Sequence, residues 1–521
     1  MENKNSNVVD INELKNGKRQ AFSNLKEFKD YILDLTQDSK KLKTDIKVLN
    51  GLVNLINNGL EKPFAEKDLR LLVTEVSKLS FPTYCDPKGN IITYRLAQHI
   101  VNNTNMFSDA HNIYVYKNGV YSVIEERQLH NYIYNLIPLD TNKTSTRAKE
   151  VIESIRTITY SNKTKNHNKR YINVLNGVID IETKKLLEHN PNFKTTLQFR
   201  ANYIEEKTFK ELFETSTFKK FLETTLSEKN IVTLQEMFGL ILSPHAKEVQ
   251  KSFILLGDGS NGKSAVADII VGLLGGSSHI SCLGFSDFEK QFDLASIEGK
   301  HLNMNTDDES TGLEKSGTFK KVIAGDPVDI ERKGKDKIPY QPNMTCVIGL
   351  NKLPATADKS HGFYRRQCII SFEQTFGNEK EVKSGRANKL KDPAMIKNII
   401  DNELDIVLAW ALQGLYRLIK NNFTLSENEE VDAALEEFRL DTDTVYAFFK
   451  DKITLSPFDD EKITAKVLYT AYENYCENVV MAKPQSNKNL GLGLKALGCK
   501  SVRRNTGVIY LNVILDDEIK N

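Results

Sequence analysis

The residues from Gly257 to Ser264 have the types and spacing for phosphate chemistry. Ser252-Phe-Ile-Leu-Leu256 reads as an apolar strand, Gly257-Asp258-Gly259-Ser260-Asn261-Gly262-Lys263-Ser264 follows it, and the run from Ala265 to Leu274 reads as a helix. In a Gly-x-x-x-x-Gly-Lys-Ser run between a strand and a helix, the glycines let the backbone fold tightly enough for its N–H groups to surround phosphate oxygens. The helix start adds a partial positive charge. Lys263 is placed to reach the β- and γ-phosphates and the Ser264 hydroxyl to hold Mg²⁺. Residues 257–265 are thus expected to bind ATP.

ATP turnover also needs a carboxylate at the end of a neighbouring strand and a group that orients water. Lys300-His-Leu-Asn-Met-Asn-Thr-Asp-Asp-Glu309 supplies acids after an alternating run. Asp307 and Asp308 are the candidates for metal ligation and water polarisation, with Glu309 a less favoured substitute. A second apolar strand, Thr345 to Leu350, ends in Asn351-Lys-Leu-Pro354. Asn351 could touch the γ-phosphate or its water, and an Asn there can equally start a turn. Gly362-Phe-Tyr-Arg365-Arg366 precedes a further strand, Gln367 to Phe372. An exposed arginine there could stabilise transition-state charge in a neighbouring subunit's site, or simply form a surface salt bridge.

Basic residues gather in three places. Val328, Ile330 and Arg332 alternate as a strand, Lys333-Gly-Lys335-Asp336 reads as a turn, and Ile338 to Tyr340 as the return strand. A hairpin tipped by Lys333, Lys335 and Lys337 could grip phosphates without reading bases. Near the chain end, Lys483, Lys488, Lys495, Lys500, Arg503 and Arg504 occur with no acid among them. Leu490, Leu494 and Leu497 could pack one face of a helix there, with Arg503 to Tyr510 as a wing-like hairpin, an arrangement suited to duplex DNA. Protein docking is the other reading. Arg156 to Arg170 also lacks acids, and fits a solvated loop as well as a nucleic-acid contact.

The elements that must position these residues can be read from periodicity. Residues 1–90 read as a helical N-terminal region: Leu49, Leu52, Val53, Ile56 and Leu60 recur at helical spacing, as do Leu69, Leu72, Val73 and Val76. Residues 91–205 read as mixed α+β, with a hairpin around Lys117-Asn118-Gly119 and a strand-turn signal over Tyr171 to Asp180. Residues 206–425 alternate strands and helices as an α/β domain does. The region closes on Leu404, Val407, Leu408, Ala411, Leu412, Leu415 and Leu418, all on one helical face with the sole Trp410 among them. Gln374 to Pro393 reads as a polar loop. Residues 426–455 are a charged helical connector, and 456–521 a small C-terminal unit.

Composition narrows the class. The chain has 521 residues, 40% hydrophobic and 27% charged, the profile of a globular protein. Its apolar runs fall short of the roughly 18 residues of a membrane span, and the start lacks the apolar core of a signal peptide. No membrane association is expected, and the location is expected to be cytoplasmic. The six cysteines include no Cys-x-x-Cys pair and the nine histidines no metal-ligand spacing. They read as reduced, mostly buried thiols and scattered imidazoles. Lys+Arg 71 against Asp+Glu 69 leaves a net charge of +2. That near balance does not exclude DNA, because binding depends on where charge lies.

In order and spacing these motifs resemble superfamily 3 helicases, in particular the phage and plasmid primase-helicase family that includes the poxvirus primase-helicase. The resemblance rests on Gly257 to Ser264, Gly299 to Asp308, Ala324-Gly-Asp-Pro327, Asn351 to Pro354 and Gly362 to Arg366. Asn173 to Asp180 looks like the family's pre-helicase domain, and Ala465 to Tyr472 with Leu490 to Leu511 like its C-terminal winged helix. The resemblance implies an AAA+-like P-loop ATPase core in a ring, commonly a hexamer, around DNA. ATP would lie between subunits, Arg365 or Arg366 would reach the neighbour's γ-phosphate, and the hairpin would line the pore. It implies 3′ to 5′ translocation on single-stranded DNA, unwinding of duplex DNA, and a role in replicating a phage-related mobile element. Many relatives carry an N-terminal primase, for which residues 1–90 are too short, so a separate primase is a candidate partner. Two alternatives stay open: an origin-binding initiator that uses ATP only to assemble, and a signalling or defence ATPase acting on protein.

Overall fold

The computed structural model describes residues 23–35, 46–58, 60, 62–80, 82–86, 89–109, 111–161, 170–308, 312–334, 336–460, 462–505 and 507–515. Glu309, Lys335 and the lysines at 163, 165 and 169 lie outside the described residues. The chain divides into two compact units, up to Asn166 and from His167. The expected boundaries at 90/91 and 205/206 fall inside these units.

In the first unit the helical spacing becomes helices Leu25–Leu35, Ile46–Asn58 and Glu66–Ser80. Leu49, Val53, Leu69, Leu72, Val73 and Val76 close over Phe28 and Ile32 in one apolar cluster. A second cluster lies among helices Thr93–Asn103, Glu126–Leu136 and Ser145–Thr159 and joins Ile113 of an antiparallel sheet. The expected hairpin is present: Ile113–Lys117 pairs with Val120–Val123. Asn118 and Gly119 both take positive φ, 52° and 87°, the turn whose twist matches the strands.

The second unit opens with the three-stranded antiparallel sheet Tyr171–Val174, Gly177–Asp180 and Lys185–Leu187. Its centre is a five-stranded parallel sheet of β1 (Ser252–Leu256), β2 (Ile280–Ser281), β3 (Leu302–Asn305), β4 (Thr345–Leu350) and β5 (Gln367–Ser371), in the order β5-β1-β4-β3-β2. The fold is therefore α/β around a parallel sheet. Side chains alternate across it as a period of two dictates. Phe253, Leu255, Val347, Cys368 and Ile370 enter one cluster, and Ile254, Cys346, Ile348 and Ile369 the other. β4 lies between β1 and β3 and is buried along its whole length, which is why its sequence reads as a continuous apolar run.

One face is covered by α1 (Glu228–Leu242), α2 (Lys263–Leu273) and the later helix Leu404–Lys420. α1 and that last helix cross at two glycines. A Cβ on Gly239 would lie 2.3 Å from Leu415 N, and one on Gly414 2.2 Å from Gln235 O. Trp410 meets Phe218 and Phe238 edge-on at 5.1 and 5.5 Å. The other face is covered by α3 (Gly317–Ala324), with Phe285, Phe288, Phe363 and Phe438.

With α4 naming Leu404–Lys420, the connector expected over 426–455 contains two helices, α5 (Glu429–Thr442) and α6 (Thr444–Lys452). They belong to different cores. Ala434 and Phe438 of α5 pack against the sheet. Val445, Ala447 and Phe448 of α6 join Leu468 and Tyr472 of α7 (Ala465–Tyr475) and Leu490 and Leu494 of α8 (Asn487–Ala496). The C-terminal core thus begins before residue 456. Asp443 caps both α5 and α6: its N–H donates to Arg439 O at 2.8 Å, and its Oδ1 accepts from Val445 N at 3.1 Å.

Four of the six cysteines, at 346, 368, 476 and 499, are buried, while Cys282 is exposed. Burial pushes the thiols of Cys346 and Cys368 up to about 12. Among the described residues no helix is long and apolar enough to cross a membrane.

Candidate functional site

In parallel sheets ligands sit beyond the carboxyl ends of the strands, and the expected residues meet there. The loop after β1 is held on two sides. Gly257 has no room for a side chain, because a Cβ would lie 2.2 Å from Asn261 Nδ2 and 2.5 Å from Phe372 O. Asn261, itself buried, donates from Nδ2 to Phe372 O at 3.3 Å, latching the loop to the end of β5. The loop ends where α2 begins, at Lys263, so the first N–H groups of α2 point into the same space.

Lys263 is 5% exposed. Its ammonium donates to Gly257 O, to Asp258 O at 3.4 Å and to Asn351 Oδ1 at 3.2 Å. Burial lowers its pKa, against the pull of Asp258 and Asp307. The tip of β3 approaches from the side. Gly349 makes this possible: a Cβ there would lie 2.6 Å from Thr306 O, so only glycine lets the Thr306–Asp307 turn lie on β4. A cleft of about 980 Å³ results, lined by residues 259–265, Thr306, Asp307 and Asn351.

Asp307 and Asp308 part company. Asp307 faces the cleft. Asp308 does not line it, and its Oδ2 accepts a hydrogen bond from Phe285 N at 2.8 Å. Arg365 and Arg366 also stand apart. They precede β5, at the end of the sheet opposite the loop, and the five residues of β5 span about 16 Å. Arg365 is exposed, while Arg366 is half-buried and donates to Gly362 O at 2.5 Å.

The sequence reading missed the other wall of the cleft. Phe221 and Thr224 of helix Thr217–Thr225 line it, with Phe376, Lys389, Met395 and Ile396. The segment expected as a polar loop instead pairs Phe376–Gly377 with Lys389–Leu390 in parallel, around a short helix Glu379–Lys383 capped by Asn378. Lys389 Nζ donates to Thr224 O at 2.7 Å and so joins the two walls. Strands of two residues leave no periodicity to read.

A hydroxyl and a carboxylate, Ser264 and Asp307, lie in one cleft, a donor set that suits Mg²⁺ when phosphate oxygens and water complete it. Among the described residues no group of three or more His, Cys, Asp or Glu could hold a metal by itself.

The basic hairpin forms as expected, Val328–Ile330 against Ile338–Tyr340. Lys333 and Lys337 are exposed, and Lys337 lies 3.4 Å from Glu331. In the C-terminal module Ser501–Arg504 pairs with Gly507–Tyr510, and Ile463–Thr464 adds a third strand. Lys488, Lys495, Lys500, Arg503 and Arg504 are all exposed, with Lys500 paired to Asp459 at 2.8 Å. The arginines that bracket residues 157–169 are held by acids: Arg156 lies 3.5 Å from Glu153, and Arg170 lies 2.6 Å from Asp180.

Comparison with known proteins bears on both halves of this site. Residues 136–227 match a family described as D5 N terminal like. Residues 255–366 match a family of unknown function, DUF5906, over a span from β1 to the arginine pair. Protein 184R of Invertebrate iridescent virus 6, whose name carries the word helicase, is 26% identical over 182 residues. That match takes in 32% of this chain and 18% of the viral protein. Among solved structures, the apo C-terminal region of NrS-1 (residues 305–718) aligns at 11% identity with a TM-score of 0.42, over 81% of this chain and 99% of that one. A second, A-form structure of the same region gives 0.41 at 11% identity, over 81% of this chain and 98% of that one.

Proposed function

We propose that the chain is an ATP-driven DNA helicase of the superfamily 3 type that acts in replication, with an AAA+-like motor and a C-terminal winged helix. The observation that carries the reading is the convergence of Lys263, Ser264, Asp307 and Asn351 in one cleft at the carboxyl end of a parallel sheet. Phosphate oxygens would take over the Lys263 ammonium from the carbonyls that hold it. Ser264 and Asp307 would hold Mg²⁺, which supplies charge neutralisation on the β- and γ-phosphates. Asn351, within reach of the same ammonium, would orient the attacking water.

The arginine pair supports a ring, commonly a hexamer in such motors, because its distance from its own loop suits a neighbour's site. The exposed hairpin lysines suit the backbone of single-stranded DNA in a pore, with 3′ to 5′ movement expected from the resemblance. The basic C-terminal module suits duplex DNA at an origin. The D5-like match and the viral relative's name support a replication role; a mobile element of a bacterial host, with a separate primase as a candidate partner, is expected from the resemblance of the motifs alone.

Strand displacement on a forked duplex tests the reading. Wild type separates the strands in the presence of ATP and Mg²⁺, and Lys263→Ala lowers the rate by about a hundredfold or more. Wild type that hydrolyses ATP with no response to DNA and separates no strands overturns it.

A further inference from the structure

Asp308 follows Asp307 directly, yet its carboxylate serves a different part of the molecule. Besides accepting from Phe285 N, it lies over Gly284, where a Cβ would be 2.6 Å from Asp308 Oδ1. Its own N–H donates to Gly349 O at 3.2 Å, which ties it to β4 two residues before Asn351. Phe285 begins a segment of two short helical turns, Phe285–Glu289 and Asp293–Ile297, that ends at Gly299.

This segment is fastened to both sides of the basic hairpin, at Glu331 and Arg332 just past its first strand and at Tyr340 in its second. Gln291 Nε2 donates to Glu331 Oε2, and Arg332 pairs with Glu298 at 2.6 Å. On the return strand Gly299 N donates to Tyr340 Oη at 3.0 Å. The inner face of the segment is aromatic and dense. Phe285 and Phe288 pack on Phe319 of α3 with ring centroids 5.2 and 5.3 Å apart. α3 itself runs through Gly325 to Pro327 into the first hairpin strand. A close-packed segment of this kind shifts as a body rather than deforming.

We propose that Asp308 is a positioning residue that hangs the Gly284–Gly299 segment, and through it the basic hairpin, on the strand that carries Asp307. It rests on the reading of the cleft as an ATP site and the hairpin as a DNA contact. A charge-assisted hydrogen bond to a backbone N–H is short-ranged and directional, so movement of the β3 tip during turnover reaches the hairpin as displacement of one packed segment. In return, DNA on the hairpin alters the β3 tip beside the nucleotide, as reciprocal coupling requires.

The test compares full-length Asp308→Asn, which keeps an acceptor oxygen, with Asp308→Ala, which removes it. The readout is the ratio of ATP hydrolysis with and without a single-stranded oligonucleotide. Asp308→Ala lowers that ratio by about fivefold or more, and Asp308→Asn stays within about twofold of wild type. Gln291→Ala/Arg332→Ala, two exposed side chains at the far end of the segment, lowers the ratio too and adds little to Asp308→Ala, because both break one path. If Asp308→Ala does not fold, the Gln291/Arg332 pair carries the test by itself. Loss of hydrolysis without DNA in Asp308→Asn, equal to that in Asp308→Ala, overturns the proposal, because the negative charge would then act on metal or water directly. An undiminished ratio in Gln291→Ala/Arg332→Ala overturns it as well. Failure of the underlying reading looks different: wild type itself shows no hydrolysis, or none that responds to the oligonucleotide.

Discussion

Gly239→Ala sets two physical effects of opposite sign against each other. Helix propensity alone favours alanine by about 1 kcal/mol in a helix interior. The crossing of α1 and α4 opposes it. The new methyl would meet Leu415 N at 2.3 Å, Ala411 O at 2.8 Å and the Gly414 carbonyl carbon at 2.9 Å. All three are backbone atoms, so no side chain can rotate aside. Restoring van der Waals contact means parting the helices by roughly 1 Å, and overpacking of this kind costs about 1–3 kcal/mol or more. Because only backbone atoms are met, the cost lies at the upper end of that range and the net expectation is a loss of about 2 kcal/mol, roughly a thirtyfold change in the unfolding constant. Trp410 is the chain's only tryptophan and is buried at this crossing, against Phe238. Its fluorescence during urea unfolding therefore follows loss of the core that contains this crossing. Gly414→Ala should shift the transition the same way, since its methyl would lie 2.2 Å from Gln235 O. Gly51 is the control: it lies mid-helix in the first unit with nothing within 4 Å of the added Cβ. There Gly51→Ala should slow amide exchange across residues 46–58, with a gain of up to about 1 kcal/mol. A Gly239→Ala transition at the same or higher urea would refute the close-crossing argument.

Arg365→Ala and Lys263→Ala should each lack ATP turnover and regain it when mixed, because a mixed pair combines an intact loop with an intact arginine; mixtures with no activity would exclude Arg365 as the trans group. Lys333→Ala should reduce the salt dependence of single-stranded DNA binding by a slope of about 0.7. Lys337→Ala should reduce it less, because Lys337 already faces Glu331 at 3.4 Å; equal slopes would discount that pairing. Burial raises the pKa of Asp358, but hydrogen bonds from Lys320, Ser316 and Ser360 outweigh it and hold the carboxyl at about 2, below the ordinary 3.8. A depressed folded pKa stabilises the protein above the unfolded value and stops doing so as pH falls through the folded one. The contribution of Asp358, about 2 kcal/mol, should therefore be full above about pH 4 and fade towards pH 2. Asp358→Asn should remove that dependence, measured by acid unfolding through Trp410.

The parts legible from sequence are those with a period or a fixed spacing. The strand–loop–helix around Lys263 formed as read, and so did the apolar face Leu404 to Leu418 and the Asn118-Gly119 turn. Each shows in the residue types and spacing of one continuous stretch of chain, whatever that stretch later packs against. Asp308 shows where such reading stops. Adjacent carboxylates look alike in a sequence, and what separates them is Phe285, more than twenty positions away and brought close by β3. The cleft wall at Phe376 to Ile396 was hidden for the same reason: its strands of two residues show no period, and Lys389 meets Thr224, 165 positions away. Helices α5 and α6 read as one connector because Asp443 interrupts the helical pattern without any Gly or Pro to mark the break.

Asp443 joins the basic module to the parallel-sheet core with one residue, as the last cap of α5 and the first of α6. No slack exists in such a joint, and none of the searching freedom of a Gly/Ser tether. The compass bearing of Lys488, Lys495 and Arg503 about the α5 axis is then a matter of helical phase. Each residue added to or removed from the end of α5 would swing the module by about 100°. In that sense the joint acts as an indexing pin, and chain length between Phe438 and Val445 sets which way the basic face points.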